Sequence, residues 1–215
     1  MKRLAFGLVA LSLAGCALAQ QPLEDARYRP GKFKVAWIES PNYNLRPVDT
    51  VVDTIILHHT AGPTTSSCVR WFENPDSQVS AHYVVGKDGS IIQMVIPFYR
   101  AWHAGVSKDI RGKENLNNFT VGIEIVHTGK ADEAYPEDQV MAVRLLCGYL
   151  SRIKYRNQIV QIASHEFIAV PPGRKPDPIN YPWESLYDLA DELGIRLTYG
   201  RSDRNTVIRE PKKSS

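Results

Sequence analysis

The chain has 215 residues, a formal net charge of +3, 43% hydrophobic residues and 23% charged ones. That length suits one domain, and the composition excludes a disordered, collagen-like or disulfide-dense chain. The near-balanced charge argues against a nucleic-acid binder, for which a basic domain is expected. No segment reaches the roughly 18–20 apolar residues of a bilayer span.

Lys2 and Arg3 open the chain, an apolar run follows from Leu4 to Ala14, and Gly15-Cys16 comes next. This is the layout of a bacterial secretory signal over residues 1–19. Leu13-Ala14-Gly15-Cys16 resembles the lipobox of bacterial lipoproteins. By that resemblance Cys16 is lipidated and tethers the protein to the outer membrane without spanning it. Ala17-Leu18-Ala19 offers plain cleavage as the alternative. Both readings export the protein to the periplasm. Cys68 and Cys147 then form an even pair in an oxidising compartment, where a disulfide and two buried thiols both fit.

Residues 20–45 carry Pro22, Pro30 and Pro41 with little periodicity and read as a linker and irregular N-terminal arm. Val51 to His58 is a short, nearly continuous apolar run, which predicts a buried strand broken by Ala61-Gly62-Pro63. Ser66 to Phe72 reads as a short helix ending before Pro75. His82–Val85 and Ser90–Ile96, joined through Lys87-Asp88-Gly89, read as a strand pair. Thr120 to His127 alternates as a strand. Pro136 to Lys154 places Val140, Val143, Leu146, Leu150 and Ile153 on one helical face. A strand at Gln158–Ser164, a Pro-rich loop at 171–182 and a helix at Trp183–Leu193 follow, with Gly194 suited to the C-cap. Residues 196–215 are rich in basic residues and poor in large apolar ones, and read as a solvated polar tail. The expected domain therefore covers 46–195. It is α/β, with a central mixed β-sheet flanked by helices.

Few residues could carry chemistry. His58 and His165 each end a predicted strand and open a loop, where α/β sheets place their ligand crevices. With Asp177 from the loop after His165 they make a candidate zinc site, three protein ligands leaving a position for water. Glu124 lies within an otherwise apolar strand, where an acid needs a task or a partner. It could serve as a general base. Lys175, two residues before Asp177, could stabilise an oxyanion. Each has a plainer reading: a hydrogen-bonded histidine, an ion-paired glutamate, a solvated loop lysine.

Together these residues carry a resemblance. Ile55-Ile56-Leu57-His58-His59-Thr60-Ala61 is similar to the first zinc-histidine strand of the type 2 N-acetylmuramoyl-L-alanine amidases, a family that includes the peptidoglycan recognition proteins. Val79-Ser80-Ala81-His82-Tyr83-Val84-Val85 resembles the next strand, Arg100-Ala101-Trp102-His103-Ala104-Gly105 its Ala-Trp-His-Ala-Gly element, and Asn118 to Glu124 its catalytic strand. His165, Lys175, Asp177 and Pro178 match the second histidine and a Lys-x-Asp-Pro loop. The resemblance runs from about residue 50 to about 190.

It implies one zinc ion held by His58, His165 and Asp177 at the strand ends, with Glu124 as catalytic base and Lys175 as oxyanion stabiliser. His58 is the implied ligand of its pair, and His59 is structural, like His82 and His127. Trp102 and His103 would line the substrate cleft. The implied reaction is hydrolysis of the amide between the lactyl group of N-acetylmuramic acid and L-alanine in peptidoglycan or muropeptides. No nucleic-acid or protein partner is evident. Neither Cys68 nor Cys147 falls in these motifs, which speaks against cysteine amidase chemistry. No His-Glu-x-x-His helix is present, which speaks against the common metalloproteases. A non-catalytic peptidoglycan-recognition module is the alternative.

Overall fold

The structure is a computed structural model and describes residues 35–212. The expected signal segment, Cys16 and the first part of the expected linker lie outside them. In chain order the strands are β1 (Val35–Trp37), β2 (Tyr43–Asn44), β3 (Thr54–His59), β4 (Tyr83–Val85), β5 (Ile91–Gln93), β6 (Arg100–Ala101), β7 (Thr120–Ile125), β8 (Gln161–Ser164), β9 (Arg196–Arg201) and β10 (Arg204–Arg209). The helices are α1 (Thr65–Glu73), α2 (Glu137–Tyr149), α3 (His165–Ile168) and α4 (Tyr187–Leu193). Eight strands form a mixed sheet in the order β1-β5-β4-β7-β3-β8-β9-β10, while β2 and β6 pair separately. The run β4-β7-β3-β8-β9 is parallel, and antiparallel partners flank it on each side.

The alternation of β3 and β7 sorts their residues between two faces. Ile55 and Leu57 of β3, with Val121, Ile123 and Ile125 of β7, join a large core beneath α2 and α4. Each such side chain contributes on the order of 1.5–3 kcal/mol by leaving water. Residues of the other phase, Ile56 and His58 on β3 and Gly122 and Glu124 on β7, face the opposite side. There α1 supplies Cys68, Val69 and Phe72 to one smaller core, and α3 supplies Phe167 and Ile168 to another. The chemistry-bearing residues are thus on the face that α2 and α4 do not cover. Buried Gln139 of α2 donates from Nε2 to the Val85 and Val126 carbonyls, satisfying acceptors at two strand ends.

Two expectations are corrected and one open question is answered. Part of the expected linker and arm belongs to the domain. β1 extends the sheet beside β5, and buried Asn42 donates to the carbonyls of Phe72, Asn74 and Val79. Side-chain bonds of this kind leave no periodic trace in sequence. The expected solvated tail from 196 instead supplies β9 and β10. Leu197 and Thr198 are buried on the edge of β8, and ion pairs Arg196–Glu210 and Arg209–Asp191 accommodate the charges that suggested a tail. The cysteine question, left open, resolves to two free, buried thiols. Cys147 lies in the core under α2 and Cys68 in the core under α1, on opposite faces of the sheet.

Candidate active site

Strand register brings the site together. His58 of β3 lies directly beside Glu124 of β7 in the parallel pair. On the other side Leu57 pairs with Ser164, the last residue of β8. His165 follows as the first residue of α3, whose start is fixed by Ser164: its hydroxyl accepts the Phe167 N–H at 3.0 Å. Asp177 arrives from the loop. That loop is tied down by a Glu166 N–H bond to the Asp177 carbonyl at 2.7 Å. On its other side the Ile179 N–H donates to His59 Nδ1 at 3.1 Å. His59 therefore faces away from the donor cluster and secures the loop that carries Asp177.

The three expected ligands converge. His58 Nδ1 is 2.9 Å from His165 Nδ1 and 3.3 Å from Asp177 Oδ2, and His165 Nδ1 is 3.0 Å from the same carboxylate oxygen. All three residues are buried. Donors about 2.1 Å from a tetrahedral zinc stand about 3.4 Å apart, so this triangle fits with a small expansion. The donor chemistry fits too. His165 Nε2 donates to the Ala104 carbonyl at 3.2 Å, which leaves Nδ1 as the nitrogen turned toward another imidazole and a carboxylate. Two imidazole nitrogens and a carboxylate oxygen at this spacing are a donor set that suits zinc.

Electrostatics favour the ligand forms. Burial, then the neighbouring His165, push His58 down to about 4 against the opposing pull of Asp177, so its imidazole is neutral near pH 7. Burial alone would raise the Asp177 carboxyl, but the adjacent His165 and His58 outweigh it and hold it well below the carboxylate range. Glu124 behaves oppositely. Burial, helped by Asp177 and opposed by Lys175, pushes its carboxyl up to about 8. Its Oε2 is shielded from solvent and has no hydrogen-bond partner. No arginine pairs with it among the described contacts.

A cleft of about 610 Å³ joins these groups. Glu124, Lys175, the three candidate ligands, Trp102 and His103 all line it. Lys175 is exposed on the loop. Trp102 is oriented by its indole N–H, which donates to Asn44 Oδ1 at 3.0 Å. His103 differs from expectation: besides lining the cleft, it is wedged against His58, their rings edge to face with centroids 5.0 Å apart. His82 accepts the Gly122 N–H at 2.9 Å, and His127 Nε2 meets the Glu133 carbonyl at 2.9 Å, both outside the donor triangle.

The α1 wall was missed in sequence. Cys68, Trp71 and Phe72 line the cleft, and Trp71 is an exposed aromatic on an otherwise amphipathic helix, the one signal that could have pointed to it. Cys68 thus lies close to the catalytic motifs in space. Burial, with Glu124 next, pushes its thiol far up, so it stays protonated and is a poor nucleophile.

Comparison with known proteins identifies relatives of the chain. Residues 48–180 match the family described as N-acetylmuramoyl-L-alanine amidase. N-acetylmuramoyl-L-alanine amidase A of Achromobacter lyticus is 37% identical over 99 residues, 46% of this chain and 49% of that protein, so the chain spans about half its length. The 1,6-anhydro-N-acetylmuramyl-L-alanine amidase AmpD of Escherichia coli K12 is 30% identical over 158 residues, 66% of this chain and 83% of the relative. Among solved structures, an AmpD derivative superposes with a TM-score of 0.59 at 29% identity, covering 73% of this chain and 94% of that one. AmiD of E. coli, solved with anhydro-N-acetylmuramic acid-L-Ala-D-γ-Glu-L-Lys, gives 0.51 at 29% identity, covering 70% and 61%.

Proposed function

The chain belongs to the N-acetylmuramoyl-L-alanine amidase family, and from that membership we propose that it hydrolyses the lactyl–L-alanine amide of muropeptides through a single zinc centre. The observation that carries the reading is the unpartnered Glu124 Oε2 beside the convergent His58, His165 and Asp177 donors. Zinc, when bound by those three, supplies Lewis acidity and makes a water easier to deprotonate.

The other steps fall to the chain's own residues. Glu124 takes a proton from the attacking water and returns it to the alanine nitrogen as the C–N bond breaks. A carboxyl poised near the working pH suits both halves of that transfer. The Lys175 ammonium stands at the same cleft and stabilises negative charge on the former carbonyl oxygen. Trp71 and Trp102 offer flat apolar surfaces to the sugar and peptide. The relatives' names point to anhydromuramyl peptides as the substrate class, within cell-wall turnover. We place the protein in the periplasm, tethered at Cys16, on the strength of residues 1–19. Membrane fractionation of wild type and Cys16→Ala tests that placement, and a soluble wild type refutes it.

The central test digests purified anhydro-muropeptide and identifies products by mass spectrometry, with zinc, with a chelator and with Glu124→Gln. Free stem peptide and intact sugar are expected, abolished by the chelator. Glu124→Gln should lower the rate by about 10²–10⁴-fold. Muropeptide that binds and stays whole would leave a recognition module. Cleavage within the peptide or glycan would displace the assigned bond.

A further inference from the structure

We propose that His103 is a positioning residue, one that fixes which ring nitrogen of His58 is free to bind metal, through a hydrogen-bond chain anchored on a backbone carbonyl. The proposal rests on the reading of His58, His165 and Asp177 as a metal centre. It adds a task for a residue expected only to line the cleft.

The direction of the chain follows from its far end. The Leu116 carbonyl can only accept, and Thr120 Oγ1 lies 2.7 Å from it. The single hydroxyl hydrogen of Thr120 is therefore spent on Leu116. Toward His103 Nε2, at 3.1 Å, Thr120 can only accept, so Nε2 carries the proton. His103 packs between the His58 and His82 rings with no carboxylate within ion-pair distance among the described residues, an environment that holds a neutral imidazole. A neutral ring protonated at Nε2 has a bare Nδ1. That atom is 2.9 Å from His58 Nε2, which must then be the donor. His58 is left with a bare Nδ1, the nitrogen that faces Asp177 and His165.

His165 reaches the same state by a shorter route, since its Nε2 donates to the Ala104 carbonyl. Neighbouring residues 103 and 104 thus set the tautomers of both histidines. Orienting partners of this kind hold a ligand's ring and raise its basicity. The ring of His103 has room because position 122 lacks a side chain: a Cβ there would lie 2.5 Å from His103 Cγ. His82 closes the other side, its ring centroid 5.6 Å away.

The test uses the full chain with ¹⁵N-labelled histidine, metal-free at pH 8, where two-bond ¹H–¹⁵N spectra report each ring's tautomer. His58, His103 and His165 are expected as Nε2–H forms. An Nδ1–H form at His58 or His103 overturns the proposal. Zinc affinity is then measured by chelator competition for His103→Ala and Thr120→Val. Both should bind about 10–100-fold more weakly, and Thr120→Val should mix the His58 tautomers. Unchanged affinity in both folded variants also overturns it. If His103→Ala does not fold, Thr120→Val and the wild-type spectrum decide. Correct tautomers and zinc binding without amide cleavage would fault the amidase reading and leave this one standing. Cleavage with the wrong His58 tautomer would do the reverse.

Discussion

Gly122→Ala is the most exacting single perturbation of this site. The added methyl would lie 2.5 Å from His103 Cγ, 2.6 Å from Nδ1 and 2.8 Å from Cδ2. Ordinary carbon contacts are about 3.5–4.0 Å, so the ring must retreat by about 1 Å. It has nowhere free to go, with His58 and His82 packed edge-on against it. The bonds at 2.9 Å to His58 and 3.1 Å to Thr120 cannot both survive such a shift. Overpacking costs about 1–3 kcal/mol, and a stranded buried donor or acceptor about 1–3 kcal/mol more. A total near 2–6 kcal/mol would lower Tm by about 4–24 °C in a domain of this size. Zinc affinity should fall about 10–100-fold. Urea denaturation and chelator competition read the two effects. Gly62→Ala is the control for stability, because its methyl meets nothing nearer than 3.5 Å. A Gly122→Ala protein with wild-type stability and zinc affinity would refute the account of how His103 is held.

Three further outcomes are expected. Glu133 is held down at about 2, chiefly by Lys87 at 2.5 Å and then by Thr128. Because its folded value lies below the unfolded one, its contribution is present above about pH 4.5 and fades as pH falls toward 2. Glu133→Gln should therefore cost up to about 1 kcal/mol at pH 7, and the difference from wild type should close in acid. A difference that stays constant from pH 7 to 3 would rule out the ion pair as its source. Ile123→Ala empties a fully buried position beneath the sheet and should cost about 2–5 kcal/mol in urea unfolding; a loss below 1 kcal/mol would mean that this core collapses around the void. Neither thiol should react with a disulfide reagent in the native protein, since both are buried and burial pushes Cys147 up to about 12. In a Cys16→Ala protein two equivalents should appear on unfolding, and a thiol count of zero would reveal a bridge.

Much of the site was legible because it follows from local pattern. Glu124 interrupts the apolar strand TVGIEI, and a charged residue in such a run draws attention before any fold is known. His58, His165 and Asp177 were legible as residues at strand ends and in the following loop, and register then brought them within 3.3 Å. The edges of the domain were not legible. β1 is three residues long. β9 and β10 are rich in charge that composition assigns to solvent, and only ion pairs across the hairpin and to α4 make it compatible with a sheet.

By itself the sequence determined the strand phases, the chemical identity of the site residues and their order along the chain. Those properties depend on neighbours two to four residues apart, whose alternation or helical spacing is written directly in the string. The tertiary structure alone decided that His103 backs His58, that Cys68 and Trp71 form a cleft wall, and that Cys68 and Cys147 lie on opposite faces of the sheet. Each depends on contacts between residues far apart in sequence, set by strand order and register. The bond from His58 to His103 spans 45 positions, and the approach of the His58 and His165 Nδ1 atoms spans 107. No local periodicity encodes such distances, because a hydrogen bond responds to ångströms and direction, which only the packed sheet supplies.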